Sequence, residues 1–261
     1  MEVNTILDLF PLWVVCLMTA AVFVLSIELG YRLARYQRDH SKEINEAPVG
    51  PMVGAILGLL AFMLAFTFGF AASRFEERKQ ILLNEVNIIR TAFLRAELQP
   101  EPIGTESHAL LREYIDVRLG AGTDRGKLSE AVERSEQLQA ALWQQAKAAA
   151  EKGRPPINSL FITSVNDIID VHSRRVNVAI RNRVPGVVWI VLYTLVILGM
   201  LAIGYQAGLA SAKRSLTGIT LVLAFTAVIT MIADLDRPGG GLLRVNQQGM
   251  SDLKTFVNTT N

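Results

Sequence analysis

Four stretches of this chain carry no charged side chain at all: residues 9–27, 47–73, 184–212 and 215–233. Crossing the hydrocarbon core of a bilayer takes about 20 apolar residues in a helix. A helix is also one of the few structures that satisfies its own backbone groups in lipid. Four such runs predict four membrane-spanning helices and exclude both a soluble globular domain and a disordered chain. Charged residues make up 19% of the 261 residues, against about 25% in soluble domains, and those present gather between the runs.

The charged residues divide the chain into segments. A membrane region over 1–73 holds spans at about 9–27 and 48–73. An extramembrane domain over 74–184 follows, then a second membrane region over 185–236 with spans at about 185–210 and 215–234, and a tail over 237–261. The link 28–46 sets Arg32, Arg35, Arg38 and Lys42 against four acids, and Lys213-Arg214 forms a hairpin between the last two spans. The insert reads as helical. Phe75, Leu82, Val86, Ile89, Phe93 and Leu94 recur at steps that include the three and four residues of one helix face. Between Pro51 and Pro100 no proline intervenes, so span two and the start of the insert are expected to form one rod of about 70 Å. Segments 107–119 and 127–152 read as a helical hairpin broken at Gly120-Ala121-Gly122. Leu128, Val132, Ser135, Leu138, Leu142, Gln145 and Ala149 form a seam of about 3.5-residue period that calls for a partner helix. Asn158 or Ser159 is expected to cap a last helix running to Ile180, and Pro185 marks the entry to span three. No alternating apolar pattern suggests a sheet. The fold class is all-α: four transmembrane helices with a helical extramembrane domain between spans two and three.

Several functions are disfavoured. A net charge of +2, with no basic block, does not suit a nucleic-acid partner. Cys16 is the only cysteine, so no intramolecular disulfide or paired-thiol metal site forms. The N-terminus has Glu2 and Asp8 but no cation before the first apolar run, which reads as a retained helix and not a cleaved signal. His40, His108 and His172 are far apart with no zinc-binding spacing, and no nucleophile or phosphate-loop motif occurs. No acidic residue lies within a span, so a proton relay is unsupported. We expect neither an enzyme nor a bound cofactor.

Span two is the most informative element. Gly50, Gly54, Gly58, Ala61, Ala65, Gly69 and Ser73 make a ridge of small residues, which lets helix backbones approach closely in lipid. The ridge packs either within one chain or against another subunit. Phe62, Phe66 and Phe70 make a second stripe at i+4. In a ring of subunits this stripe would form an apolar neck that gates by dewetting; the alternative is aromatic packing against lipid or core. Beyond the span, Asn84, Asn87, Thr91 and Arg95, with Glu85 beside them, either line a wet vestibule or form a solvated face. Asn166, Asp170, Arg174, Asn177 and Arg181 repeat that pattern before span three. Where span four leaves the bilayer stand Asp234, Asp236, Arg237 and Pro238. They read as a structural lock between a carboxylate and an arginine such as Arg74 or Arg78. Asp234 and Asp236 are the weaker alternative as metal ligands, because two carboxylates are too few for Ca²⁺.

The stretch GLLAFMLAFTFGFAASRFEERKQILLNEVNIIRTAFLRAEL, with VPGVVWIVL before span three and ADLDRPGGGLLRV after span four, resembles the bestrophin-like DUF4239 membrane proteins over roughly residues 10–257. A more distant resemblance runs to the bestrophins, oligomeric four-span ion channels. That likeness implies Phe62, Phe66 and Phe70 as pore neck and Arg74-Phe75 as the membrane-exit pair. It also implies an acidic cluster after span four, represented here by Asp234 and Asp236 alone. The expected function is a homo-oligomeric ion channel or pore lined by span two; the alternative is a non-conducting scaffold or sensor that recruits a partner through the helical hairpin. Partners are the lipid bilayer, further copies of the chain and inorganic ions. The expected location is the bacterial inner (plasma) membrane. The short-loop charge rule puts the 28–46 link and Lys213-Arg214 inside, whereas the resemblance puts the insert and both termini inside.

Overall fold

The computed structural model describes residues 10–40, 49–123, 128–153, 155–178, 183–210, 216–237 and 241–259. Lys42 and the rest of 41–48, Arg181, the Lys213-Arg214 hairpin, and Pro238, Gly239 and Gly240 lie outside them. The described residues form eight α-helices and no strands: α1 Leu12–His40, α2 Val49–Glu97, α3 Ile103–Thr123, α4 Leu128–Glu151, α5 Pro155–Val176, α6 Gly186–Leu209, α7 Leu216–Asp236 and α8 Gln248–Thr259. Four are long and apolar enough to cross a membrane: α1, α2, α6 and the Gly218–Asp236 part of α7. The chain divides into two compact units, 1–74 with 183–237, and 75–182 with 238–261.

In the first unit α1 packs chiefly along α6 and also touches α7. The α1–α6 seam is made of small residues at four-residue steps, Ser26, Gly30 and Ala34 against Gly204 and Gly208. A Cβ on Gly30 would collide with the Leu201 carbonyl, and one on Gly204 with the Ile27 carbonyl. On Gly208 a Cβ would sit 2.6 Å from that of Ala34. Here glycine allows backbone-to-backbone approach, the usual currency of helix association in lipid. Two hydrogen bonds flank the seam, Thr19 Oγ1 to the Tyr193 hydroxyl at 2.9 Å and the Tyr205 hydroxyl to Gln37 Oε1 at 2.6 Å. α1 continues past the expected end of span one at residue 27 because its packing face continues. Exposed apolar residues run from Trp13 through Leu25, Leu29 and Leu33 to Tyr36, about 35 Å along the axis. The start of the Arg-rich link is thus helix, with Arg32 bound to Glu28 at 2.8 Å. The first part of α2 buries Val53, Leu60, Leu64, Thr67 and Ala71, one face at three-, four- and seven-residue steps. Gly199 of α6 lies against Ile56, Leu57 and Leu60 on it.

The second unit surrounds one apolar core supplied by α2, α3, α4, α5 and α8. Leu82, Ile89 and Phe93 of α2 are buried in it, as the periodicity anticipated, whereas Leu94 is exposed. α2 ends where Pro100 and Pro102 forbid further turns. Gly104 then lets α3 fold back, since a Cβ there would stand 3.0 Å from the Ala96 carbonyl oxygen. α3 runs through Gly120 to Thr123 instead of stopping at the glycines. α4 buries Ala131, Ser135, Leu138, Gln139, Leu142, Ala146 and Ala149, and α3 and α5 pack against it. The seam on α4 therefore finds its partners inside the chain. α5 begins at Pro155, a residue preset for a first helical turn. Asn158, expected to cap it, is buried and donates its side-chain amide to the Ala149 carbonyl near the end of α4. The tail joins this unit through α8, which buries Met250, Leu253 and Val257.

Candidate functional site

Among the described residues, little of the chain lies over the ridge on α2. A Cβ added at Gly54, Gly58 or Gly69 meets nothing within 4 Å, and at Gly50 the nearest atom is Gln206 Nε2 at 3.4 Å. Ala61 and Ala65 are exposed. Beside the ridge, Phe62 and Phe66 are 67% and 64% exposed and Phe70 is partly buried. Both stripes occupy the side of α2 away from its buried face. Arg74 lies over the Phe70 ring at 4.9 Å, a cation–π contact at the end of the aromatic stripe.

Farther along α2, Asn84, Asn87 and Thr91 are exposed. Arg95 is half-buried and donates through Nη1 to the Leu160 carbonyl at 2.9 Å and to Ser164 Oγ at 2.8 Å. Asn87, Thr91 and Arg95 join Ile88, Ser164 and Asp167 in lining an open groove of about 160 Å³. The polar ladder on α5 is a solvated face: Asn166, Asp170, Arg174 and Asn177 are all exposed.

At the end of α7, Asp234, Asp236 and Arg237 are all buried. Asp236 accepts a hydrogen bond from the Val184 backbone amide at 2.8 Å and faces Arg183 at 3.4 Å. Arg237 donates to the Phe10 carbonyl at 2.9 Å. Arg183, just before span three, is thus one arginine of the lock at Asp236. Among the described residues no group of three or more His, Cys, Asp or Glu side chains is placed to hold a metal ion.

A further cluster escaped the sequence reading. Glu85, fully buried on α2, binds Arg118 of α3 at 3.0 Å and Arg175 of α5. The Tyr114 hydroxyl lies 3.4 Å from Glu85 Oε1 and 3.5 Å from His172 Nδ1, and Gln139 of α4 donates to it at 3.3 Å. Side chains of α3 and α5 reach this one carboxylate of α2, and α4 joins the cluster through Tyr114. Burial pushes the Glu85 carboxyl up, but the guanidiniums of Arg175 and Arg118 outweigh burial and hold it below the usual carboxylate range. Burial, then the nearby Arg118, pushes His172 down from its ordinary 6.5 to about 4, so the imidazole is neutral. Burial and the Glu85 charge push the Tyr114 phenol up. The cluster had a local signal: Glu85 interrupts the apolar stripe of Leu82, Ile89 and Phe93, as Arg118 does that of Leu111, Tyr114 and Ile115.

A family profile described as a Bestrophin-like domain matches residues 17–250. The chain belongs to the Bestrophin-like family. The fold of this Bestrophin-like chain is shared by solved structures. A bacterial bestrophin homologue from Klebsiella pneumoniae carrying a point substitution is 12% identical, with TM-score 0.66 and coverage of 94% of this chain and 96% of that one. A second substituted form of the Klebsiella protein is 12% identical, with TM-score 0.65 and coverage of 91% and 96%. A structure described only as a membrane protein is 14% identical, with TM-score 0.66 and coverage of 90% and 96%. None of the curated proteins matches the chain by sequence.

Proposed function

We propose that this Bestrophin-like chain is one subunit of a homo-oligomeric ion channel or pore in the bacterial inner (plasma) membrane, lined by α2. The observation that carries the reading is the outward side of α2: Phe62 and Phe66 stand exposed beside a ridge of glycines and alanines with open space over them. At about 3.6 residues per turn, the interval from Phe66 to Asn84 is five whole turns, so the aromatic stripe and the polar stripe share one side of one helix. Subunits meeting along the ridge bring the phenylalanines to a common axis, where an apolar ring gates by dewetting. Asn84, Asn87, Thr91 and Arg95 then line the wet path beyond it. Asp236, Arg183 and Arg237 act as a lock at the membrane exit, with Arg74 capping the neck. The resemblance to bestrophins favours the insert and both termini on the cytoplasmic side.

The second reading is a non-conducting scaffold or sensor that recruits a partner through the helical insert; because one face of α4 packs on α3 and α5, such a partner would dock on the outer faces of the insert. Ion flux in liposomes tests the channel reading. The wild type is expected to dissipate at least one of K⁺, Na⁺ or Cl⁻ gradients, and Phe66→Ala to raise the flux by widening the neck. Folded protein that carries none of the three ions contradicts it.

A further inference from the structure

Two arginines stand on the outward side of α1 where its apolar surface ends. Leu25, Leu29, Arg32 and Tyr36 recur at steps of four, three and four residues, which places them on one side of the helix. Leu25, Leu29 and Tyr36 are 66%, 52% and 66% exposed, and the Arg32 side chain is 74% exposed. Arg35 is exposed as well. It follows Arg32 by three residues, so the two are neighbours on the helix surface. The opposite side of α1 carries Ser26, Gly30 and Ala34, buried in the seam with α6.

Depth in the bilayer follows from counting. Trp13, near the start of α1, is 66% exposed. From there a hydrocarbon core of about 30 Å takes up about 20 residues and ends near Leu33. Arg32, Arg35 and Tyr36 therefore stand at the level of the lipid headgroups. Tyrosine and tryptophan gather at that level, and arginine stems lie on apolar surface there while their charged heads reach outward. The charge is only partly matched within the chain. Glu28 takes the Nε–H of Arg32 at 2.8 Å. Among the described residues Arg35 forms no ion pair, although Asp39 lies four residues on. Cations near the ends of the other spans are engaged by the protein: Arg74 by the Phe70 ring, Arg183 by Asp236 and Arg237 by the Phe10 carbonyl.

We propose that this face of α1 binds an anionic phospholipid, its phosphate on Arg32 and Arg35 and its acyl chains along Leu25 and Leu29. Guanidiniums match phosphate oxygens in pairs. An apolar stripe that ends in two cations complements a molecule with an apolar tail and a negative head. A free phosphate would leave the leucines unused. The proposal rests on α1 crossing the membrane and is independent of conduction.

The experiment is native mass spectrometry of the intact detergent-purified protein, incubated with equal amounts of phosphatidylglycerol and phosphatidylcholine of identical acyl chains. In the second lipid the choline cation offsets the phosphate. The wild type is expected to retain phosphatidylglycerol over phosphatidylcholine by roughly tenfold. Arg32→Gln combined with Arg35→Gln changes two surface residues and is expected to lose the preference. Lys147→Gln, at an exposed position on α4, removes a cation elsewhere and is expected to keep it. Glycerol phosphate, which has the headgroup chemistry without the tails, is expected not to displace phosphatidylglycerol from the wild type. Equal retention of both lipids by the wild type, a preference undiminished in the double variant, loss of it in Lys147→Gln, or displacement by glycerol phosphate would each overturn the proposal.

Discussion

His172 is a neutral imidazole held among charges, so its protonation is expected to destabilise the helical unit. Its value in the fold, about 4, lies below its ordinary 6.5. The unfolded chain therefore binds the proton more readily, and the stabilising contribution is complete above pH 6.5. It is lost as pH falls toward 4, by about 3 kcal/mol over that window. Glu85, also depressed, adds a loss in the same direction as pH falls through its folded value. Melting curves between pH 7.5 and 4.5 should therefore fall steadily for the wild type, and His172→Gln should flatten the slope between 6.5 and 4.5. A wild-type Tm independent of pH in that range would contradict the burial of a neutral imidazole. At the membrane exit, Asp236→Asn keeps an acceptor for the Val184 amide but removes the negative charge facing Arg183. A loss of about 1–3 kcal/mol is expected, read as a lower Tm in detergent. Unchanged stability with a new calcium dependence of flux would favour metal ligation instead.

At the scale of elements, two sets of small residues have different surroundings, one packed and one open, and only one was legible. The α2 ridge stood out because seven small residues fall in one apolar run. The α1–α6 seam has the same signature, Ser26, Gly30 and Ala34 against Gly204 and Gly208, but divided between helices more than 160 positions apart. Pairing them needs the fold. The contrast gives a paired test. Gly204→Leu pushes a side chain into the α1 backbone and is expected to abolish the folded protein or lower its Tm sharply. Gly58→Leu enters open space within the chain, so the fold should survive while the assembly, measured by its mass in detergent, falls apart. A Gly58→Leu protein that keeps its assembly would show that the ridge is no subunit contact. The 49-residue α2 was legible from the absence of breakers before Pro100, and α8 was not, because twelve residues form a stable helix only on a core that comes from distant segments. The Glu85 cluster was hidden for a related reason, since its partners Arg118 and Arg175 lie on other helices and share no local pattern with it.

For the whole molecule, what covers the outward side of α2 decides whether it can form a pore. Membrane helices expose apolar surface to lipid in any case, and α1 does so along its length. What sets α2 apart is that exposed glycines gain nothing from lipid contact, whereas they let a neighbouring backbone come close. Their placement next to the exposed phenylalanines ties the proposed contact between copies to the proposed path. The charge cluster ties α2 to α3, α4 and α5 in the helical unit, so the helix proposed to carry the neck also contributes to the core of that unit. Cysteine cross-linking measures the arrangement directly. With Cys16 replaced by Ser, Phe66→Cys should give rapid oxidative cross-links between copies in membranes, and Leu25→Cys on the exposed side of α1 should not. A Phe66→Cys protein that links no faster than Leu25→Cys would place the phenylalanine stripe in lipid and contradict the shared axis.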